Sequence, residues 1–221
     1  MESSFENNVI KMGGVVASKL ELSHEIYGEK FYRFYIEIDR LSSQKDRIPV
    51  IISERLIDVD DFEIGKVIFI EGQYRSYNKM DENNRSRLIL SVFVKDIKQL
   101  EVSENVKTIN ELTITGIVCK KPIYRKTPLG RDIADILLAV NRSYNKSDYI
   151  PCIIWGRNAK YCEHLETGSV VKVVGRVQSR EYDKKHEDGT IEKRTAYEVS
   201  VSKFEIIEKA KAQENEESVE E

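Results

Sequence analysis

The feature that most constrains the fold of this chain is an internal repeat. Three mostly apolar segments of the first half return in the second half in the same order: 14–17 (GVVA) as 116–119 (GIVC), 48–52 (IPVII) as 150–154 (IPCII), and 65–72 (GKVIFIEG) as 168–175 (GSVVKVVG). The offset is 102 positions for the first two pairs and 103 for the third. Because order and spacing persist together, the chain is a tandem duplication, and both halves are expected to share one fold.

Each half contains five segments with the alternation of apolar and polar residues that is typical of half-buried strands. In the first half they lie at about 8–19, 31–40, 47–53, 65–77 and 87–97, and in the second half at about 110–119, 132–142, 148–155, 169–182 and 194–206. A helix candidate follows the third strand of each half, at 54–62 and at 157–165. Five strands with one short helix between strands 3 and 4 describe an oligonucleotide/oligosaccharide-binding (OB) barrel. We therefore predict an all-β chain of two tandem OB-fold barrels.

The repeat also predicts the domain boundaries. We expect a first barrel at 1–97, a linker at 98–109, a second barrel at 110–207 and a disordered acidic tail at 208–221. The tail holds six Glu and two Lys and few large apolar residues, a composition that cannot form a core. Since the whole chain carries a formal charge of −3, residues 1–207 carry a net charge of +1. Such a body can bind a polyanion if its cations lie on one face.

Glycine and proline positions predict local features of the barrels. Gly72 and Gly175 lie inside the fourth strands, where a small barrel needs a bend. Pro49 and Pro151 lie inside the third strands, and because proline cannot donate to a strand ladder, each predicts either an edge-facing position or a bulge.

Composition favours a cytoplasmic protein. The sequence has no run of about 18 apolar residues and no basic-then-apolar leader at its start (MESSFENN), so neither a membrane span nor a secretory signal is expected. The three cysteines, Cys119, Cys152 and Cys162, lie among apolar residues without metal-ligand spacing, and we expect buried, reduced thiols.

The third strand of the second half carries the first functional signal. Alternation directs Ile150, Cys152 and Ile154 toward the core, and Tyr149, Ile153 and Trp155 away from it. Aromatic rings on the open face of a sheet are suited to stacking on the bases of single-stranded nucleic acid. The alternative is a strand buried on both faces, with both aromatic residues in the core.

Cations surround these rings in the predicted barrel. The fourth strand directs Arg176, Arg180 and Tyr182 outward, the loop after strand two holds Arg142 and Tyr144, and the first long loop holds five basic residues, Arg125 among them. Any single Lys or Arg is more simply a solvated surface group, but cations interleaved with aromatic residues on one face favour a nucleic-acid site. The predicted binding residues are Tyr144, Tyr149, Trp155, Tyr182, Arg125, Arg142, Arg157, Arg176 and Arg180.

Residues 110–206 resemble the bacterial single-stranded DNA-binding protein family. The matching motifs are NELTITGIV, PLGRDIADILLAVNR, DYIPCIIWGRNAK, GSVVKVVGRVQSREY and a closing EVSV strand, in the family's order and spacing. The resemblance implies that Tyr144, Tyr149, Trp155 and Tyr182 stack on DNA, and that Arg125, Arg157 and Arg180 contact it. It also implies binding and protection of single-stranded DNA, largely without sequence preference, in replication, recombination or repair. Because the family works as four barrels, it further implies a homodimer of this two-barrel chain.

The resemblance has two departures and a weaker half. Pro151 stands where the family commonly has a polar residue, and the tail ends ENEESVEE without the apolar tip that recruits replication and repair proteins. The first half is a diverged copy that keeps Arg40, Arg55, Arg75 and Tyr77. At the positions of Tyr149, Trp155 and Tyr144 it has Arg47, Ser53 and Ser42, so most of the stacking platform is missing.

Other functions have less support from the sequence. The three histidines form no metal or nucleophile motif, so we expect no enzyme, no metal site and no cofactor. The nearest alternative is a primosomal or replication accessory OB-fold protein that acts mainly through protein contacts, and a purely structural oligomerisation module is another. An RNA ligand stays open, because stacking and phosphate contacts barely distinguish the two sugars.

Overall fold

The computed structural model describes residues 7–80, 84, 86–100, 108–185 and 189–210. The strands of the first half are β1 (Asn8–Val16), β2 (Glu21–Ile26), β3 (Glu29–Asp39), β4 (Lys45–Ser53), β5 (Val67–Met80) and β6 (Ser86–Gln99). Those of the second half are β7 (Asn110–Val118), β8 (Ile123–Lys126), β9 (Asp132–Arg142), β10 (Lys146–Trp155), β11 (Val170–Lys185) and β12 (Ile191–Glu208). A short helix, α1 (Arg157–Cys162), follows β10. None of the helices in these residues is long and apolar enough to cross a membrane.

The strands form two closed barrels within one continuous hydrogen-bonded sheet. The order is β2-β3-β4-β6-β5-β1 in the first half and β7-β11-β12-β10-β9-β8 in the second. The barrels close where β1 also pairs with β3 and β7 with β9. The pairs β4–β6 and β10–β12 are parallel, and the other pairs are antiparallel. The prediction of an all-β chain with two tandem OB folds is confirmed.

Each barrel has one strand more than the five predicted. The additional strands, β2 and β8, are short and pair only with β3 and β9 at the edge of the sheet. All six residues of β2 are exposed, so the strand has no buried face to produce an alternating pattern. The hairpins β5–β6 and β11–β12 also extend beyond their predicted ends, because their tips are exposed on both faces and carry no alternating pattern.

The predicted helices differ between the halves. In the second half, α1 ends at Cys162 and not at 165, with Ala159 and Cys162 buried as the spacing predicts. In the first half the predicted helix at 54–62 is wrong, since that segment forms only a 3-10 turn, Glu54–Leu56. Its three aspartates compete for backbone hydrogen bonds, as Asp58 does by accepting from the Asp60 N–H at 3.0 Å.

The predicted bends at Gly72 and Gly175 are confirmed. The strand register shifts between Glu71 and Gly72 in β5 and between Val174 and Gly175 in β11. A Cβ atom on Gly72 would lie 2.1 Å from the Phe93 carbonyl oxygen, and one on Gly175 would lie 2.3 Å from that of Ser200. Only glycine therefore allows the two strands to approach at each bulge.

The prolines lie at edge-facing positions and not at bulges. The β3–β4 ladder runs through Pro49 and the β9–β10 ladder through Pro151 without a register shift. Parallel pairing on the opposite edge begins one residue later, at Val50 and at Cys152. The missing N–H group therefore falls where no ladder partner requires it.

The three cysteines are free thiols. Cys152 and Cys162 are buried, as expected, but Cys119 at the end of β7 is half-buried. Burial raises the pKa of Cys162 to about 12 and that of Cys152 further, so both thiols stay protonated inside the second barrel.

The barrels are joined by antiparallel pairing of their first strands. Residues 8–12 of β1 pair with residues 110–114 of β7, so the two copies are related by a pseudo-twofold axis at this ladder. Asn8 and Asn110 occupy equivalent positions, and the side-chain amide of each forms two hydrogen bonds within its own barrel. Asn8 bonds both backbone groups of Tyr74 at 2.7 and 2.9 Å, and Asn110 bonds those of Val177 at 2.7 and 3.0 Å.

Two buried carboxylates extend this junction on either side of the axis. Asp46 of the first barrel accepts from the Ser179 N–H of the second, and Asp148 of the second accepts from the Ser76 N–H of the first, both at 2.7 Å. Arg40 hydrogen-bonds Asp46 within its own barrel. The β11–β12 hairpin is thus held against β4, and the β5–β6 hairpin against β10.

We expect replacement of Asp46 by alanine to destabilise the protein by about 3–5 kcal/mol, because it leaves a largely buried cation uncompensated. Arg40 and Asp46 are only 17% and 1% exposed. Urea unfolding measures the loss. The matched control is Glu21→Ala, which removes a carboxylate from an exposed pair with Arg33 and should cost less than about 1 kcal/mol. Equal losses in both variants would contradict this account of the junction.

Candidate nucleic-acid interface

The four predicted aromatic residues are exposed on the second barrel. The exposed fraction is 94% for Tyr144, 42% for Tyr149, and 38% each for Trp155 and Tyr182. The alternation of β10 is as predicted for Ile150, Cys152 and Ile154, which are buried in the barrel core. A strand buried on both faces is therefore excluded for the two ring positions of β10.

Ile153 is a correction to the predicted outward set. It lies on the same side of β10 as Trp155, yet its side chain is only 7% exposed. In the register of the sheet it lies between Asp135 of β9 and Ser200 of β12. The neighbouring strands β9 and β12 therefore cover the Ile153 side chain, whereas the rings of Tyr149 and Trp155 lie nearer the ends of β10.

Local structure holds Trp155 and Tyr144 in different ways. The indole N–H of Trp155 donates to the Ser200 hydroxyl at 3.2 Å, which anchors the ring against β12. Tyr144 lies in the turn between β9 and β10, where Tyr144 and Asn145 have φ angles of 62° and 53°. Such left-handed residues form the tight turns of hairpins, and here the turn directs the ring into solvent.

Strand register sets the layout of the face. β9, β10, β12 and β11 lie side by side, and Ser200 of β12 faces Arg176 of β11 while it contacts Trp155. Tyr182 lies opposite Arg194 of β12, six residues from Ser200, which is about 20 Å along a strand. Tyr149 and Tyr182 therefore lie toward one end of the face, and Trp155 lies toward the other.

Two of the predicted arginines belong to the barrel junction. Arg142 Nε lies 3.2 Å from the buried carboxylate of Asp148, and Arg176 Nη1 lies 3.4 Å from that of Asp46 in the other barrel. Burial raises the pKa of Asp148, and the Ser76 N–H and the charge of Arg142 act against that rise. The side chains of Arg142 and Arg176 are 28% and 40% exposed. Each of these arginines therefore faces a carboxylate and solvent at once.

The other three arginines lie on the barrel surface. Arg125 of β8 hydrogen-bonds Asp135 at 2.7 Å, and Arg180 of β11 lies 3.7 Å from Glu198 with its guanidinium 5.8 Å from the Tyr182 ring. Arg157 is exposed at the start of α1, and among the described residues no carboxylate lies within 4 Å of it. Exposed pairs of this kind are weak, so a phosphate can replace the carboxylate at modest cost.

Residues of the first barrel also border this face, which sequence reasoning missed. The Tyr149 N–H donates to the Ser76 hydroxyl at 2.7 Å, so β5 of the first barrel lies beside β10. Arg75, the neighbour of Ser76, has its guanidinium 3.9 Å from the Phe93 ring, and its pKa is lowered by burial and by the charge of Arg142. The internal repeat is the sequence signal that could have located these residues, if the two copies are taken to pack against each other.

Comparison with known proteins assigns the chain to a family. The model of the single-strand binding protein family matches residues 109–207. Single-stranded DNA-binding protein B of Bacillus subtilis (strain 168) is 36% identical over 84 residues, which are 34% of this chain and 72% of that protein. The chain belongs to the single-strand binding protein family. All nine predicted binding residues lie within the matched range.

Other relatives in the family match the same half. The single-stranded DNA-binding protein of Halalkalibacterium halodurans is 34% identical over 82 residues, which cover 34% of this chain and 49% of the relative. The chain thus spans about half the length of the first curated relatives it matches.

A solved structure reproduces the fold of both halves. The wild-type single-stranded DNA binding protein from Thermus aquaticus has a TM-score of 0.70 at 21% sequence identity, over 93% of this chain and 95% of that one. A deletion mutant of the same protein has a TM-score of 0.68 over 96% of this chain. Two OB barrels in one chain are therefore an architecture that a solved structure shares.

Proposed function

We propose that this protein binds and protects single-stranded DNA, largely without sequence preference, in replication, recombination or repair. The observation that carries the proposal is the set of four exposed rings beside arginines on one barrel, in a chain of the single-strand binding protein family. Bases stack on the rings and phosphates pair with the arginines, a combination that tolerates any sequence because every base has a π-face. Relatives that carry the name single-stranded DNA-binding protein support the same ligand.

The binding residues in this proposal are the nine predicted from the sequence. The surroundings of each residue in the structure suggest its role. Tyr144, Tyr149, Trp155 and Tyr182 stack on bases, while Arg125, Arg157 and Arg180 contact phosphates. Arg142 and Arg176 contact the DNA from the junction and also neutralise Asp148 and Asp46. Loss of either of these two therefore costs stability as well as affinity.

The proposal is for a binding protein and not for an enzyme or a protein-contact accessory factor. An accessory factor has no need of four rings in solvent, whereas DNA binding needs them. The protein acts where single-stranded DNA is exposed, on the nucleoid in the cytoplasm.

We also propose the functional units 1–97, 98–109, 110–207 and 208–221. Strand β6 continues to Gln99 and β12 to Glu208, so the first two residues of the proposed linker and the first of the proposed tail extend a strand. Most of the linker (101–107) and of the tail (211–221) lies outside the described residues.

A homodimer is part of the proposal. The β1–β7 ladder already joins two barrels within a chain, so two chains supply four. Light scattering at micromolar concentration should give about twice the chain mass of 25.6 kDa. A clean monomer would refute the dimer and leave the DNA-binding proposal intact.

The single tryptophan gives a direct test of the site. Because Trp155 is exposed and is proposed to stack on a base, titration with oligo(dT) should quench its emission strongly and saturably. Trp155→Ala should weaken binding roughly 5- to 150-fold by anisotropy of labelled DNA, since stacking contributes about 1–3 kcal/mol per base. The control is Tyr27→Asn, at an exposed turn of the first barrel whose φ of 51° asparagine tolerates. Unchanged emission on adding DNA, together with unchanged affinity of Trp155→Ala, would reject the site.

A further inference from the structure

A groove of about 860 Å³ opens between the two barrels, beside the proposed DNA site. One wall is formed by β3, β4 and the loop that joins them in the first barrel, and the other by the β11–β12 hairpin of the second. This volume is in the range of ligand sites in proteins. The cations and aromatic residues that line it are Tyr35, Arg40, Lys45, Arg47, Arg180 and Tyr197.

Arg47 occupies the position that is equivalent to Tyr149 in the second barrel. Its guanidinium lies 4.8 Å from the centroid of the Tyr35 ring, and its Nη2 lies 3.4 Å from the Ala17 carbonyl oxygen. Among the described residues no carboxylate lies within 4 Å of this guanidinium. The aromatic ring lost in the diverged copy is thus replaced by a stacked cation and ring, and such a pair has affinity for both phosphates and bases.

The other three cations of the groove each have a carboxylate within 4 Å, and for Arg180 it is Glu198 at 3.7 Å. Arg40 is held by Asp46, while Lys45 lies 3.6 and 3.8 Å from the partly exposed Glu37 and Asp39. Among the described residues, Glu181 is the one acid that lines the groove, against four cations. Arg47 is therefore the cation with the least compensation.

Tyr197 places an aromatic side chain close to this free charge. Burial raises the pKa of Tyr197 to about 12, and the charge of Arg47 acts against that rise. The backbone N–H of Arg47 also donates to the Ser179 hydroxyl at 3.1 Å, which fixes β4 of the first barrel against β11 of the second. The groove is thus built from groups that the junction holds in place.

The groove is continuous with the face of the second barrel. Arg180 lines the groove and also lies beside the Tyr182 ring of that face. Arg180 therefore borders both the groove and the ring on which a base is proposed to stack.

We propose that this groove binds the continuation of the same DNA strand, with a phosphate on Arg47 and a base against Tyr35 or Tyr197. The first barrel then contributes to binding although it lacks the family's ring positions. This inference rests on the proposed function of the second barrel and adds a second site to it.

The experiment compares two labelled oligo(dT) probes by anisotropy over a range of salt. A probe of about 8 nucleotides fits one barrel and one of about 30 spans both, since an OB fold covers roughly 4–16 nucleotides. Arg47→Ala should weaken binding of the long probe roughly 5- to 50-fold, as expected for a charge-assisted contact, and lower its salt slope by about 0.7. Binding of the short probe should change less than about twofold, because it stays on the second barrel.

Two further variants make the result decisive. Arg55→Ala is the matched control, because Arg55 is an exposed arginine of the first barrel that pairs with Glu29 beyond the far end of β4. It should leave both probes unchanged. Arg47→Lys keeps the charge but not the planar stack, so it should restore the salt slope and only part of the affinity. A slope lost in Arg47→Lys as well would assign the effect of Arg47→Ala to packing and overturn the proposal.

Trp155→Ala separates this inference from the function on which it rests. If Trp155→Ala weakens both probes and Arg47→Ala affects neither, the groove is not a DNA site and binding by the second barrel stands. If Trp155→Ala has no effect on either probe, the proposed stacking site on the second barrel fails, and the groove proposal, which extends that site, fails with it. If neither probe binds the wild-type protein, the proposed function itself fails.

Discussion

The structure depends on the antiparallel pairing of β1 with β7 and on the two buried carboxylates that flank it. The ladder sets the pseudo-twofold axis, while Asp46 and Asp148 hold each long hairpin against the other barrel. A buried carboxylate tolerates little displacement from its donors, because an unpaired charge at low dielectric costs several kcal/mol. The two barrels therefore present their surfaces in one fixed relation, and any DNA that touches both must follow the path this relation sets.

The same constraint explains the mixed roles of the arginines. Arg142 and Arg176 neutralise the junction carboxylates and still reach solvent, so they connect the packing of the barrels to the charge of the binding face. Arg180 lies where that face meets the groove between the barrels. Duplication has thus produced two unequal faces. One keeps four exposed rings, and the other, at Arg47 and Tyr35, has a cation stacked on a ring.

The sequence predicted the parts of the structure that local patterns encode. The repeat and the strand alternation gave two OB barrels, and Gly72 and Gly175 marked their bulges, because a bulge at a close strand crossing admits no side chain. The pairing of the two barrels through β1 and β7 was not predictable. Strand alternation shows that one face of a strand is buried, but it does not show which other strand covers that face. For this reason the junction roles of Arg142 and Arg176 were missed, and Ile153 was expected in solvent.

The central claim is that single-stranded DNA lies on the outward face of the second barrel. Photo-cross-linking with an oligo(dT) that carries 5-iodo-deoxyuridine, followed by peptide mass spectrometry, tests this claim directly. We expect cross-links at Tyr144, Tyr149, Trp155 and Tyr182, whose exposed rings are proposed to stack on bases. Cross-links confined to other exposed tyrosines, such as Tyr27 of the first barrel or Tyr161 of α1, would contradict it.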